Sequence, residues 1–277
     1  MSTLLDQFLM DQRGVIAEST RRQYRWVLAK VDLPMSMEDA RIYRDRRLDE
    51  VSPATVCVEL RALKCFDRWY ADEHAEQPLL GRLRFPKVKV RDDAPICTKP
   101  QKDALLATCD ETLLGLRDAA VIELLWCTGM RRSECVRLLL TDVDMALLQV
   151  HLRETKNGSS RHAAIDKVTL RRIRLYLKAR KNAGVVSEHL WTGTKGPLTV
   201  SGITELFKKR SALAGVTVSA HQFRRGCATR WMAKGGSETL LREVLGWRSP
   251  TMVARYIRAS RTELALTEQR RLARIPD

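Results

Sequence analysis

Six side chains suited to handling a phosphate group stand in order between positions 131 and 256 of this 277-residue chain. Arg131 follows Thr128-Gly129-Met130, where an apolar run stops. Lys156 stands just ahead of Asn157-Gly158, a strong hairpin-turn signal. His221-x-x-Arg224 opens a later run, Leu245-Gly246-Trp247 closes the one after it, and Tyr256 comes nine residues after Trp247. Breaking a phosphodiester needs a nucleophile, a clamp on the non-bridging oxygens and an acid for the departing oxygen. Arginine supplies planar forks matched to phosphate oxygens. Losing one donor aimed at charge that grows in a transition state costs on the order of 10²–10³ in rate. Histidine and lysine move protons, and a tyrosine hydroxyl can attack.

Each residue also has a plainer reading. Arg131 could cap helix carbonyls, and Arg132 would serve as well. Glu134, three residues on, orients Arg131 or holds the local fold. Lys156 on a turn aids solubility, and Trp247 fits a core. Tyr256 competes with Tyr24, Tyr43, Tyr70 and Tyr176, of which Tyr24 and Tyr70 fit apolar helix stripes. Neither G-x-x-x-x-G-K-[ST] nor H-E-x-x-H nor G-x-S-x-G occurs, which predicts chemistry without ATP or metal.

The elements that must position these residues are mostly helical. Leu4, Leu5, Phe8 and Leu9 repeat at helical spacing. Ser19-Thr20 is read as the cap of a helix with Tyr24, Val27 and Leu28. Ser52-Pro53 opens a helix with Val56, Leu60, Leu63, Phe66 and Tyr70 on one stripe. A small helical domain over residues 1–81 is expected, then a basic, proline-punctuated linker over 82–98, then a larger domain over 99–277. In the latter, Leu113 to Trp126 reads as an apolar helix ended by Gly129, and the next helix is placed from Ser133. Leu148, Val150 and Leu152 alternate as a strand, with Arg161 to Ile165 as its return. Asp166 caps a helix closed by Gly184. Further helices are expected over 199–214, 219–234, 237–245, 249–259 and 260–274. The fold class is mainly α with one small antiparallel sheet.

Charge is uneven. Residues 1–81 carry 12 basic and 14 acidic side chains, residues 82–98 carry 5 and 2, and residues 99–277 carry 32 and 17. The strongly basic final segment favours nucleic acid as partner. Arg21 with Arg25, and Arg61 with Lys64 and Arg68, would each share a helix face. Lys87, Lys89 and Arg91 lie in the linker, where basic residues often follow a phosphate backbone. The seven cysteines are odd in number and show no C-x-x-C pair, so reduced core thiols of a cytosolic protein are expected. His151 and His162 could face each other across a hairpin, but two histidines are not a metal site. No apolar stretch approaches the roughly 20 residues of a membrane span, and the N-terminus lacks a signal pattern.

The ordered set Thr128-Gly129-Met130-Arg131, Lys156, His221-x-x-Arg224, Leu245-Gly246-Trp247 and Tyr256 resembles the tyrosine recombinases of the phage-integrase type. The resemblance covers Thr98 onward well. It extends more weakly over the helical N-terminal part, where Ser52-Pro53-Ala54-Thr55-Val56 and the arginine-bearing helix after it look like that family's core-binding domain. It implies that Arg131 and Arg224 clamp the phosphate and that His221 and Trp247 complete the pocket. It further implies that Lys156 protonates the leaving 5′ oxygen and that Tyr256 attacks to give a 3′-phosphotyrosyl link. That link keeps the bond energy, so religation needs no cofactor. Double-stranded DNA is the implied partner, gripped by both domains. Four protomers would exchange strands on two sites through a Holliday junction, with the tail after Tyr256 long enough for a helix that docks on a neighbour. The family also uses accessory DNA-bending or directionality proteins. Integration of a phage or mobile element in the cytoplasm of a bacterial host, at the nucleoid, is the expected setting. Gln222 stands where relatives commonly have Asp, and the chain start leaves no room for an arm-binding domain. The alternatives are DNA relaxation like a type IB topoisomerase, and a catalytically idle DNA-binding protein.

Overall fold

The computed structural model describes residues 3–88, 95–153, 160–247, 249, 253 and 261–273. The chain divides into two compact units, Met1–Val90 and Arg91–Asp277.

The first unit is helical: α1 (Leu4–Asp11), α2 (Glu18–Leu28), α3 (Met37–Glu50) and α4 (Pro53–Glu73), then a 3₁₀ turn at Leu79–Arg82. Short polar side chains start three of the helices. Thr3 accepts from the Asp6 N–H, Ser36 from Asp39 and Ser52 from Thr55, with Pro53 in the first turn of α4. These satisfy amides that have no partner inside the helix. The predicted stripe of α4 is buried from Val56 through Phe66. Phe8 meets Phe66 and Trp69 edge-on at 5.4 and 5.5 Å. Helix α2 departs from the expected start. Ser19 and Thr20 lie inside its first turn, which begins at Glu18 without a side-chain cap. The sequence reading missed α3. Its Arg47 donates to both oxygens of buried Glu59 at 2.9 and 2.7 Å, and the Tyr43 hydroxyl donates to the same carboxylate at 3.1 Å. The expected linker is partly structural. Leu83 is buried with the first core, and the Cys57 thiol donates to the Pro86 carbonyl.

The second unit holds α5 (Lys99–Ala107), α6 (Leu113–Thr128), α7 (Arg132–Arg137), β1 (Val143–Asp144), β2 (Gln149–Leu152) and β3 (Arg161–Ala164). It continues with α8 (Lys167–Asn182), β4 (Thr192–Gly193), β5 (Gly196–Pro197), α9 (Val200–Ala214), α10 (Ala220–Ala233), α11 (Glu238–Leu245) and α12 (Arg261–Ala273). Strands β1, β2 and β3 form an antiparallel sheet with Val150 opposite Ala163 and His151 opposite His162. The second, two-stranded ladder of β4 and β5 was not anticipated. Helix α7 starts at Arg132 rather than Ser133, because the Arg131 N–H is already held by Glu134. The Asn157-Gly158 turn lies outside the described residues, as does nearly all of the helix expected over 249–259.

Helix α6 is the central element. Residues Ala119 through Leu125 are all buried, which explains its apolar character on every side. It packs on α8 and α10. Of its two buried carboxylates, Glu123 pairs with Lys102, and Asp118 receives Arg210 at 2.9 and 2.7 Å and Arg117 at 3.0 and 2.6 Å. The remaining nitrogens of the two arginines reach the carbonyls of Thr108 and Thr192. A buried ion pair gives little net stability, but breaking one leaves a bare charge. Asp118→Ala should therefore destabilise the second unit by about 3–5 kcal/mol, read as a lower urea midpoint in unfolding followed by circular dichroism.

Candidate active site

Two helix ends and two helix starts build the site. At the end of α6 the Thr128 hydroxyl folds back on the Leu124 carbonyl, and Gly129 takes φ 60° to stop the helix. A Cβ there would lie 2.8 Å from the Cys227 Cβ and 3.0 Å from Leu245, so the turn is also a close approach to α10 and α11. Buried Met130 then anchors the chain, and Arg131 leads into α7. At the end of α11, Gly246 repeats the device at φ 62°. Only glycine adopts that conformation at little cost.

Arg224, in the second turn of α10, is 3% exposed. It donates to the Gly129 carbonyl at 2.8 Å and to the Leu245 carbonyl at 2.5 Å. One guanidinium thus ties together the C-terminal ends of α6 and α11. Those ends carry unpaired carbonyls and partial negative charge, which suits a cation. The face of Trp247 lies 5.2 Å from the same guanidinium, and the indole is packed with Ala228, Leu241 and Leu245. Trp247 is thus a core residue, as its plainer reading had it, and its ring also backs the Arg224 guanidinium.

Arg131 donates to Glu134 at 2.8 Å and to the Gly246 carbonyl at 3.1 Å. Glu134 also accepts from the Arg131 amide at 2.7 Å, so it fixes both backbone and side chain of that residue. Burial alone would raise the Glu134 carboxyl. Its bonds from Arg161, from the Arg131 amide and from the Arg131 guanidinium outweigh burial and bring it down to about 2. His221 sits in the first turn of α10. Burial, and then the charges of Arg225, Arg224 and Arg132, push the imidazole below its ordinary value, which favours the neutral ring. Gln222 completes a capping box with Ser219, accepting from the Ser219 amide at 3.0 Å. A carboxylate there could serve the same local purpose.

Arg131, Arg132, Ser133, His221 and Arg224 line one cavity of about 320 Å³. The structure therefore brings together four of the six motif residues, Arg131, His221, Arg224 and Trp247, with Glu134 beneath them. Lys156 and Tyr256 lie outside the described residues, as do Lys89 and Arg91. Sequence reasoning missed Arg161, at the start of β3. It donates to both Glu134 oxygens, at 3.1 and 2.8 Å, and to the Val244 carbonyl at 2.8 Å. No local pattern marks it, because its partners stand 27 and 83 residues away.

The basic residues of the first unit are differently placed. Arg21 and Arg25 lie on α2 and pair with Glu18 and Asp6. Arg61 and Lys64 of α4 flank the Phe85 ring, Lys64 also donates to the Gly81 carbonyl, and Arg68 and Lys87 are exposed. Tyr24 of α2 feels the charge of Arg61, so the two helices meet at these residues. His151 and His162 stack at 4.8 Å. Among the described residues no group of three or more His, Cys, Asp or Glu could hold a metal ion. No described helix is long and apolar enough to cross a membrane.

Glu134 gives the site a definite acid limit. Its folded value is depressed from 4.5 to about 2, so its stabilisation is complete above about pH 4.5 and is lost as pH falls toward 2. Over that window the second unit should lose on the order of 3 kcal/mol. Glu134→Gln should flatten this limb of a stability-against-pH curve while lowering stability at pH 7.

Residues 96–263 match the Phage integrase family. The chain is 29% identical over 248 residues to tyrosine recombinase XerC of Bacillus pumilus (strain SAFR-032), covering 84% of this chain and 80% of that one. It is 26% identical over 236 residues to tyrosine recombinase XerA of Pyrococcus horikoshii, covering 83% and 79%. Among solved structures, the Tn1549 transposon integrase in complex with circular intermediate DNA superposes with a TM-score of 0.72 at 19% identity, covering 95% of this chain and 99% of that one. A lambda integrase tetramer bound to a Holliday junction gives 0.71 at 16% identity, covering 91% and 76%. With the motif arginines gathered in one cavity and the family matched over most of the second unit, the chain belongs to the phage integrase family of tyrosine recombinases.

Proposed function

We propose that this protein is a site-specific DNA recombinase that cuts and rejoins strands through a 3′-phosphotyrosyl intermediate on Tyr256. The observation that carries the reading is the cavity that holds Arg131, Arg224 and neutral His221 together, with Trp247 behind Arg224. Two guanidiniums offer forks to the non-bridging oxygens of one phosphate. They favour the extra charge of the pentacovalent transition state over the ground state. The imidazole N–H supplies a further donor, and a neutral imidazole can also take a proton.

The other tyrosines are committed elsewhere, which supports Tyr256 as nucleophile. Tyr176 is fully buried and bonded to Thr192. The Tyr43 hydroxyl is spent on Glu59. Tyr70 stacks on Phe66 and His74, and Tyr24 packs against the core of the first unit. In the proposed step the Tyr256 oxygen attacks the phosphorus as its proton passes to the His221 ring, the 5′ oxygen leaves with a proton from Lys156, and the reversed step seals a strand. No energy-rich cofactor enters this balance. Both units contact the duplex, the first through Arg21, Arg25, Arg61, Lys64 and Arg68. Lys87, Lys89 and Arg91 follow the backbone. Four copies act on two sites through a Holliday junction, and the biological use is integration of a mobile element.

The deciding experiment mixes the protein with nicked fragments of host and element DNA and adds SDS. An SDS-resistant adduct should form and vanish in Tyr256→Phe, and sequencing the trapped DNA gives the site. No adduct from any pool, with salt-sensitive binding intact, would instead mark an idle DNA-binding protein. Relaxation of plasmid that lacks the trapped site would favour the topoisomerase alternative. Affinity should fall linearly in log–log form with salt, losing about one unit of slope for each phosphate contact removed. Arg61→Ala should lower that slope by about one in filter-binding titrations.

A further inference from the structure

Arg161 is bound more completely than charge balance requires. Glu134 already has Arg131 as counter-ion. Arg161 adds a second fork, with Nη1 and Nη2 on the two Glu134 oxygens and Nε on the Val244 carbonyl of α11. Its side chain is only 10% exposed. Gly246 makes room for it: a Cβ at that glycine would stand 3.0 Å from the Arg161 Nη1. The glycine before Trp247 is thus required by its φ of 62° and also by the guanidinium beside it. Arg161 opens β3, five residues after Lys156 in the sequence. One side chain therefore joins the strand that leads from Lys156 to the residue that orients Arg131 and to the helix end that leads to Trp247.

We infer that Arg161 is a positioning residue for DNA cleavage, which fixes the base of the Lys156 hairpin in register with the Arg131 clamp. The inference rests on the recombinase reading for its consequence in catalysis, but the tie itself can be measured without DNA. Lysine cannot replace it, because an ammonium lacks the planar fork that spans two partners. Removing it frees Arg131 from a doubly held Glu134 and frees β3 from α11. Both the clamp and the acid should then be less well placed, and misplacement costs rate more than it costs binding.

Two variants test this. Arg161→Gln removes the charge, and Arg161→Lys keeps it without the fork. In hydrogen–deuterium exchange of the free protein, both should speed exchange at Arg161–Ala164 and Val244–Trp247 while leaving the first unit unchanged. On the DNA site recovered as an adduct, both should cut single-turnover cleavage on the order of 10²-fold while duplex affinity stays within about threefold. A substrate with sulfur at the 5′ bridging position releases a thiolate, which needs no proton from an acid. That substrate should recover at least about tenfold of the loss in Arg161→Lys, but none of the loss in Arg131→Lys. Unchanged exchange, cleavage within about twofold of the parent, or no recovery on the sulfur substrate would each overturn the inference. Loss of exchange protection throughout the second unit in both variants would reduce Arg161 to a general structural residue. If the parent protein forms no adduct, the recombinase reading fails, and the exchange data still decide whether Arg161 ties β3 to α11.

Discussion

Two guanidiniums must be held in a cavity before any phosphate arrives to balance them, and much of the second unit follows from that requirement. A buried cation without partners costs several kcal/mol. The fold answers with acceptors that are neutral or already neutralised. Arg224 rests on the carbonyls of Gly129 and Leu245, and Arg131 rests on Glu134 and the carbonyl of Gly246. Helix C-termini are natural holders here, because their last carbonyls have no partner within the helix. They bind the arginines through neutral oxygens, which hold the guanidiniums without cancelling their charge. A site that held its arginines with two full carboxylates would have cancelled the charge it needs.

This requirement orders the acids of the unit as well. The buried carboxylates Asp118, Glu123 and Glu134 each face a largely buried arginine or lysine, and buried Asp142 faces the exposed Arg153. Among the described residues after position 98 the interior takes nearly equal numbers of basic and acidic side chains, so it does little to change the basic excess left for the surface. Fold stability and attraction to a polyanion thus draw on different subsets of one composition.

What could be read from sequence was whatever local chemistry determines. Gly129, Asp166 and Ser52-Pro53 act through neighbours a few residues away, and their helices end or begin where expected. Arg131, His221 and Arg224 were legible for the same reason, since their motifs sit at the end of α6 and the start of α10, and the three line one cavity. What could not be read depends on distant partners. Helix α3 buries only Ala40 and Tyr43, and its arginine and aspartate pattern shows no stripe. Arg47 on Glu59 is one tertiary tie that holds it. The two-residue strand β1 exists through its pairing with β2. Arg161 looks like any basic strand residue until Glu134 and Val244 are brought beside it. The false cap at Ser19-Thr20 shows the opposite error. The residue types were right, but Glu18 begins the helix one turn-start earlier and is itself a favourable N-terminal anion.

The protonation state of His221 follows from the same crowding of positive charge. Burial and three arginines, Arg225, Arg224 and Arg132, all disfavour the imidazolium in the free protein. A third cation in the cavity would add repulsion without adding a second geometry for phosphate. The neutral ring instead keeps one donor and one acceptor, the combination that a group must have to hold an oxygen and also take a proton. A phosphate entering between Arg131 and Arg224 reverses the local balance, since a nearby anion raises the imidazole. In the proposed reaction, His221 is therefore a poor proton acceptor in the empty site and a better one when DNA is in place. The basicity of His221 and occupancy of the site by phosphate are then linked through charge.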